Sequence, residues 1–239
     1  MNLLFLIAFP FLMIPVIYFA GVVYGRKVGY FVSFVILSNL LTLILYYPVV
    51  MQKGQIIEPH LWTSVLGQDV NFNLMLDGLS LVYAFSIAAV SAAVALYSMP
   101  YMAHRFHEMG VRGPEEMNRS FAQFYLLYTF FYLGMLGVVL STNVVQFYIF
   151  YEMILIPTWL LIHLFGYGDR ERIALTYFIW THISGLLVLF GFIIHYLDTG
   201  SIELSSYTIL TQAMPFLLFG FGIKLAAVSY THLTLPTKA

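Results

Sequence analysis

The sequence predicts an all-α fold, a polytopic bundle of about seven transmembrane helices with a small extramembrane β-hairpin between spans two and three. Of the 239 residues, 61% are hydrophobic and 9% are charged, whereas an average soluble domain has about 25% charged residues. A soluble fold of this size could not enclose so much apolar surface. The excess must face lipid, and the 22 Phe and 18 Tyr suit a chain that also crosses both headgroup layers.

Seven apolar runs are long enough to cross a hydrocarbon core of ~30 Å, which needs about 20 residues. They are residues 2–24, 28–51, 78–101, 120–140, 143–165, 173–197 and 207–228. The polar residues 141–143 separate the fourth run from the fifth, which predicts a tight hairpin at that point.

The segment between the second and third runs alternates apolar and polar residues, a pattern that is typical of β-strands. Residues 61–65 precede a turn at residues 67–69, and residues 70–76 continue the alternation. We therefore expect a β-hairpin on the outer face of the membrane. Asp77 follows it and is interpreted as the N-cap of the third helix.

The basic residues predict the orientation, because cytoplasmic loops of membrane proteins are rich in Lys and Arg. The loops after the odd-numbered runs carry Arg26, Lys27, Arg105, Arg112, Arg119, Arg170 and Arg172. The alternate loops within residues 1–228 carry Lys53 alone. We expect the N-terminus outside and the odd-numbered loops in the cytoplasm, or in the matrix if the chain belongs to the mitochondrial inner membrane. A prokaryotic cell membrane is the expected location.

Several classes of function are excluded by composition. There is no cysteine, which rules out thiolate metal sites and iron–sulfur clusters in this chain. The net charge of −1 gives no indication of nucleic-acid binding. No Gly-rich turn between a strand and a helix is available to bind NADH. We expect no cofactor and no metal in this chain.

Two ionisable residues lie deep inside spans, where a charged side chain costs at least ~2.5–3.5 kcal/mol and is a functional candidate. Glu152 lies near the centre of the fifth run. Lys224 lies about ten residues into the seventh, at a depth of ~15 Å. Burial disfavours both charges, whereas an attraction of ~4 kcal/mol at 4 Å favours both, so that a change in separation changes proton affinity. The pair is therefore predicted to translocate protons, and a static ion pair that fixes helix packing is the alternative.

Three histidines also lie within spans. His182, near the middle of the sixth run, and His163, nearly three turns after Glu152, are candidate proton relays. A simple hydrogen bond to a neighbouring helix is the alternative for each. The spacing from His182 to His195 would suit two haems on one helix, as in a haem-bearing cytochrome subunit. Such a subunit also needs a matching histidine pair on a facing helix, and the fifth run supplies only His163.

Three motifs resemble antiporter-like subunits of respiratory complex I, the proton-pumping NADH:quinone oxidoreductase. They are NVVQFYIFYEMILIP at residues 143–157, LDGLS at residues 76–80 and FGFGIK at residues 219–224. They resemble the glutamate-bearing fifth helix, the start of the third helix and the lysine of the broken seventh helix in chain M, or mitochondrial chain 4. The resemblance covers nearly the whole chain to Val228, about half of a fourteen-helix member.

The resemblance implies that Glu152 and Lys224 form the family's input proton-translocating pair. It implies a subunit of an enzyme, a NADH (or related donor):quinone oxidoreductase, with no redox site in this chain. NADH, flavin, iron–sulfur clusters and quinone are expected in partner subunits, and the expected partners are other membrane-arm subunits. A subunit of a multisubunit Na⁺/H⁺ antiporter shares the same residues and remains the alternative.

The chain is expected to contain three parts. Residues 1–119 would form an N-terminal three-helix membrane segment, and residues 120–228 the first part of a truncated proton-translocating domain. Residues 229–239 depart from the family pattern and resemble one reading frame of a transposon-end adapter used in sequencing libraries, so we expect a non-native tail.

Overall fold

The computed structural model describes residues 2–65, 68–206 and 212–225, and of residues 61–65 and 68–70 it describes the backbone. The described helices are α1 Phe5–Tyr24, α2 Val28–Lys53, α3 Gly78–Glu108, α4 Pro114–Leu140, α5 Val144–Met153, α6 Leu155–Phe165, α7 Arg170–Thr199 and α8 Met214–Lys224. Among the described residues, five helical stretches are long and apolar enough to cross a membrane. The prediction of a helical membrane bundle is confirmed.

The first of these stretches, Phe5–Lys53, contains α1 and α2. Its 49 residues would extend roughly 70 Å as one helix, more than twice the hydrocarbon thickness. A three-residue 3-10 turn joins the two helices, and its Gly25 has a φ of 53°. Asn39 Nδ2 on α2 donates to Leu6 O on α1 at 2.8 Å, so the two helices form an antiparallel hairpin.

Helix α4 lies at the centre of the bundle and contacts α1, α2, α3, α5 and α6. Its buried tyrosine hydroxyls satisfy neighbouring polar groups. Tyr125 donates to Ala95 O, and Tyr128 donates to Ser91 O, both at 2.7 Å. An unpaired polar group costs several kcal/mol in hydrocarbon, and these bonds therefore fix the position of α3 against α4.

The extramembrane β-structure is confirmed and is larger than predicted. Its strands are β1 Gln55–Glu58, β2 Leu61–Val65, β3 Gln68–Asn71 and β4 Leu74–Asp77. Strand β2 pairs antiparallel with β3, and β1 pairs antiparallel with β4. The predicted strand at residues 70–76 is divided into β3 and β4, and between them the Phe72 N–H donates to His60 O at 2.7 Å. The four residues of β1 were too few to show an alternating pattern.

The predicted fifth span is one membrane-length stretch, Val144–Phe165, but its helix is interrupted at Ile154. Pro157 has no N–H to donate to the carbonyl of Met153. Ile154 still makes two helical hydrogen bonds: its N–H donates to Phe150 O, and its carbonyl accepts from Thr158 N. The interruption therefore lies two residues after Glu152.

The predicted seventh span, residues 207–228, is described in part. Helix α8 has 11 residues and a length of about 16 Å. Residues 207–211 and 226–228 lie outside the described part of the chain, as does the tail predicted at residues 229–239. Helix α8 lies close to α7, because a Cβ on Gly191 would come within 2.7 Å of Leu217 Cδ2.

The N-cap predicted for Asp77 is present. Its carboxylate accepts from Ser80 N, and Ser80 Oγ accepts from Asp77 N, both at 2.7 Å, which is a reciprocal capping box. The hydrogen bond from the Ser80 backbone holds the pKa of Asp77 below its ordinary value.

Asp77→Ala should lower the free energy of unfolding by about 1 kcal/mol, because it removes the acceptor at the start of α3. The contribution of Asp77 should be fully present above the ordinary aspartate pKa and should disappear as the pH falls through the lowered pKa of the folded state. Thermal unfolding in detergent across that pH range measures both effects. Asp77→Asn is the control, because it retains an acceptor; equal losses in both variants would contradict the capping account.

Candidate functional site

Glu152 lies in the last turn of α5 and faces α7. Its Oε2 lies 3.5 Å from Nδ1 of His182. Its Oε1 is buried and has no hydrogen-bond partner among the described residues. The carboxylate occupies the space over Gly185, where an added Cβ would overlap Oε1. A glycine on α7 therefore makes room for the carboxylate, and His182 is an ionisable neighbour within 4.0 Å of it.

Lys224, the last residue of α8, contacts the residue that precedes Glu152. Its Nζ donates to Tyr151 O at 3.0 Å and lies 3.4 Å from the centroid of the Tyr151 ring. In an uninterrupted helix that carbonyl would accept from the N–H of Leu155, but α5 ends before Leu155. A carbonyl and an aromatic face both stabilise an ammonium group. The end of α5 therefore forms a binding site for the Lys224 amine.

Glu152 and Lys224 lie in one site, but no ion pair within 4.0 Å joins these two described residues. The carboxylate engages His182, and the amine engages Tyr151. Glu152 remains within electrostatic reach of Lys224. The two side chains therefore lie near each other, but each makes its closest contact with a different residue.

A chain of hydrogen bonds joins α5, α7 and α8 beside this site. Ser184 Oγ lies 2.6 Å from Gly220 O, and Tyr151 Oη lies 3.1 Å from Ser184 Oγ. A carbonyl only accepts, so the single proton of Ser184 goes to Gly220, and Tyr151 must donate to Ser184. Gly220 also permits close contact, because a Cβ there would lie 2.6 Å from Val188 Cγ2.

The two candidate relay histidines occupy different surroundings. The ring of His182 stacks on Phe178, with centroids 5.7 Å apart. Phe178 contacts Trp159, and Trp159 stacks on His163 with centroids 5.9 Å apart. The structure therefore brings His182 to Glu152 and places His163 two aromatic rings away. His195 lies further along α7, where its Nε2 is 2.9 Å from Ser206 Oγ.

Three residues of the site were not singled out for a role from the sequence. They are Tyr151, Ser184 and Gly185. The available signals were local: Tyr151 adjoins the buried glutamate, and Ser184 and Gly185 follow His182 by two and three residues. A small residue at helical spacing from an intramembrane histidine indicates a close approach by another helix, although the spacing alone does not identify what approaches.

Two family models match separate parts of the chain. Residues 62–109 match the complex I model for the chain 5 N-terminus of NADH-ubiquinone oxidoreductase. Residues 141–235 match the model for the transmembrane region of NADH:quinone oxidoreductase and the Mrp antiporter.

Among curated relatives, the putative antiporter subunit mnhA2 of Staphylococcus aureus strains JH9 and USA300 is 34% identical over 141 residues. The match covers 59% of this chain, which spans only 16% of the length of those relatives.

Solved structures share the fold. A chain of the Mrp complex from Dietzia sp. DQ12-45-1b superposes with a TM-score of 0.73 at 21% identity and covers 92% of this chain and 23% of its own length. A chain of respiratory complex I from Thermus thermophilus gives 0.64 at 19% identity, with coverages of 92% and 44%. A chain of an archaeal membrane-bound sulfane sulfur reductase gives 0.63 at 18% identity, with coverages of 92% and 42%.

Gly185→Ala should destabilise the protein by about 1–3 kcal/mol, because the new methyl group would overlap the Glu152 carboxylate. Gly222→Ala is a matched control, since a Cβ at that position meets no atom of the described residues within 4 Å. Thermal unfolding of both variants measures the difference. In a Glu152→Ala background the cost of Gly185→Ala should disappear, and an undiminished cost would show that the two residues are not in contact.

Fold, sequence matches and site geometry agree on one class of protein. The two matched segments lie on either side of residues 110–140, and the second contains Glu152, His182 and Lys224. The chain belongs to the antiporter-like membrane subunits of the complex I and Mrp antiporter type.

Proposed function

We propose that this chain is a proton-translocating subunit in which Glu152 and Lys224 hold and release protons inside the membrane, with His182 as a relay. One observation carries the proposal: a carboxylate, an imidazole and an amine converge where the helix is interrupted between α5 and α6. Ionisable groups at this depth are costly, and three of them at one place are explained by proton transfer more simply than by packing.

Because Glu152 contacts His182 and Lys224 contacts Tyr151, the distance between the carboxylate and the amine can change, and their attraction changes with it. At an effective dielectric of 20, the attraction between unit charges falls from about 4 kcal/mol at 4 Å to about 2 kcal/mol at 8 Å. Protonation of His182 would give Glu152 a cationic partner at 3.5 Å and weaken its hold on the proton of Lys224. A proton that arrives at His182 would in this way favour proton release from the amine.

Tyr151 and Ser184 would position the amine without exchanging protons themselves. The hydroxyl of Tyr151 fixes the orientation of its ring through Ser184, and Ser184 in turn binds the carbonyl of Gly220 on the lysine-bearing helix. A shift of α8 would therefore change the Ser184–Gly220 hydrogen bond and the contacts of Lys224 with Tyr151 together. Such a shared contact is a means by which helix movement can alter proton affinity.

We infer that the complete assembly is a respiratory NADH (or related donor):quinone oxidoreductase whose partner subunits carry the redox cofactors. This inference is supported by the motifs around Glu152 and Lys224 and by the complex I family model. A multisubunit cation/proton antiporter is the second candidate, and the names of the Staphylococcus aureus relatives and of the Dietzia complex favour it. A haem-bearing subunit has less support, because His182 already contacts Glu152 and His195 contacts Ser206.

Purification of the tagged subunit from its native membrane separates these assemblies. Co-purifying flavin and iron–sulfur signals would support the oxidoreductase. Antiporter subunits without those signals would support the second candidate, and a Soret band would support the haem alternative.

Glu152→Gln should abolish proton transport in the assembled complex reconstituted into vesicles, because the amide has nearly the same shape and cannot bind a proton. Internal pH, reported by a trapped dye, is the measurement. Glu203→Gln is the control, since it removes a carboxylate from the segment between α7 and α8, away from the site. Full proton transport by the Glu152→Gln complex would refute the proposed role.

A further inference from the structure

A cavity of about 570 Å³ lies at the end of the bundle where α1 turns into α2, bounded also by α3 and the start of α4. Its rim carries Arg26 and Lys27 from the turn and His107 from α3. Its floor includes the thioether of Met99 and the ring of Phe121, both buried in the helical core. A basic rim over an apolar floor suits a ligand with an anionic group and a hydrocarbon chain.

The charge of the rim is not neutralised by the described residues. None of the described residues that line the cavity is acidic, and none of the ion pairs found in the described part of the chain includes Arg26 or Lys27. Glu108, near His107 in sequence, is already paired with Arg105 at 3.2 Å. The two cations at the turn are therefore available to an external anion.

The turn that presents the two cations is held in place. Asn118 Nδ2 on α4 donates to Val22 O at 3.1 Å. The positive φ of Gly25 and the overlap that a Cβ there would make with the Asn118 side chain both require glycine. Little conformational freedom of this backbone would be lost on binding, which favours affinity.

The position of the cavity points to a membrane lipid. It opens at the junction of two membrane-length helices, and Tyr30 on its wall is 64% exposed, as expected for an aromatic side chain at the headgroup level. The basic turn lies on the face that the distribution of Lys and Arg predicts to be cytoplasmic, where anionic lipids attract basic segments. A soluble phosphate would leave the apolar floor unused.

We propose that this cavity binds the phosphate of an anionic phospholipid between Arg26 and Lys27, with an acyl chain along the floor formed by Met99 and Phe121. The site lies among α1–α4 and is separate from the residues at the α5–α8 end of the chain. Its occupancy would secure the α1–α2 turn against α3 and α4. This inference does not depend on the proposed transport function.

Lipid retention tests the proposal with the purified full chain. Protein extracted from vesicles of equal phosphatidylglycerol and phosphatidylcholine, and examined by native mass spectrometry, should retain phosphatidylglycerol preferentially. Arg26→Gln combined with Lys27→Gln should reduce that preference by about 25-fold, since each basic residue near an anionic lipid contributes about a factor of five. Five of the seven basic residues on that face remain, so the orientation of the chain should not change.

Arg112→Gln combined with Arg119→Gln is the matched control, because both side chains are exposed on the same face and neither lines the cavity. This control should keep the preference, and millimolar inorganic phosphate should not displace the lipid. Equal retention of the two lipids by the unaltered chain would overturn the proposal. So would an equal loss in both double variants, or displacement by phosphate, which would identify a site for the free ion.

Discussion

The interruption of the helix at Ile154 is the feature on which the rest of the site depends. In hydrocarbon every backbone polar group needs a partner, and a helix can break there only where other groups take over. Here the ammonium of Lys224 binds the carbonyl of Tyr151, and Ile154 itself lies close over Gly134 of α4. The same break brings Glu152 to the end of its helix, beside His182. The carboxylate, the imidazole and the amine are therefore held together at this interruption.

Around this break, small residues determine how closely the helices approach. Gly185 leaves space for the carboxylate, and Gly220 allows α8 to reach Val188 and Ser184. The contacts are specific enough to place an amine and a carboxylate side by side, yet they leave each with its own first partner. That arrangement differs from a closed ion pair, which would hold both charges in one state and resist the exchange of protons.

The sequence predicted the spans well because a run of about 20 apolar residues has few alternatives to crossing a membrane. It also singled out Glu152, Lys224 and His182 as candidates, since an ionisable residue inside such a run is conspicuous. It did not predict that Glu152 would lie closer to His182 than to Lys224. Which side chains come into contact depends on how each helix is rotated about its axis. Strand β1 was missed for a different reason: four residues are too short for a period, and the pairing partner, β4, lies beyond the intervening β2–β3 hairpin.

The central claim is that the protonation of Glu152 responds to the charge on Lys224. Infrared difference spectroscopy during a pH step measures it directly, through the carboxyl stretching band that Glu152→Gln removes. The account predicts that Lys224→Met changes this band in the pH-step spectrum, whereas Lys53→Met, a change outside the site, leaves the band as it is in the unaltered chain. A Glu152 band that is the same in both variants would contradict the account.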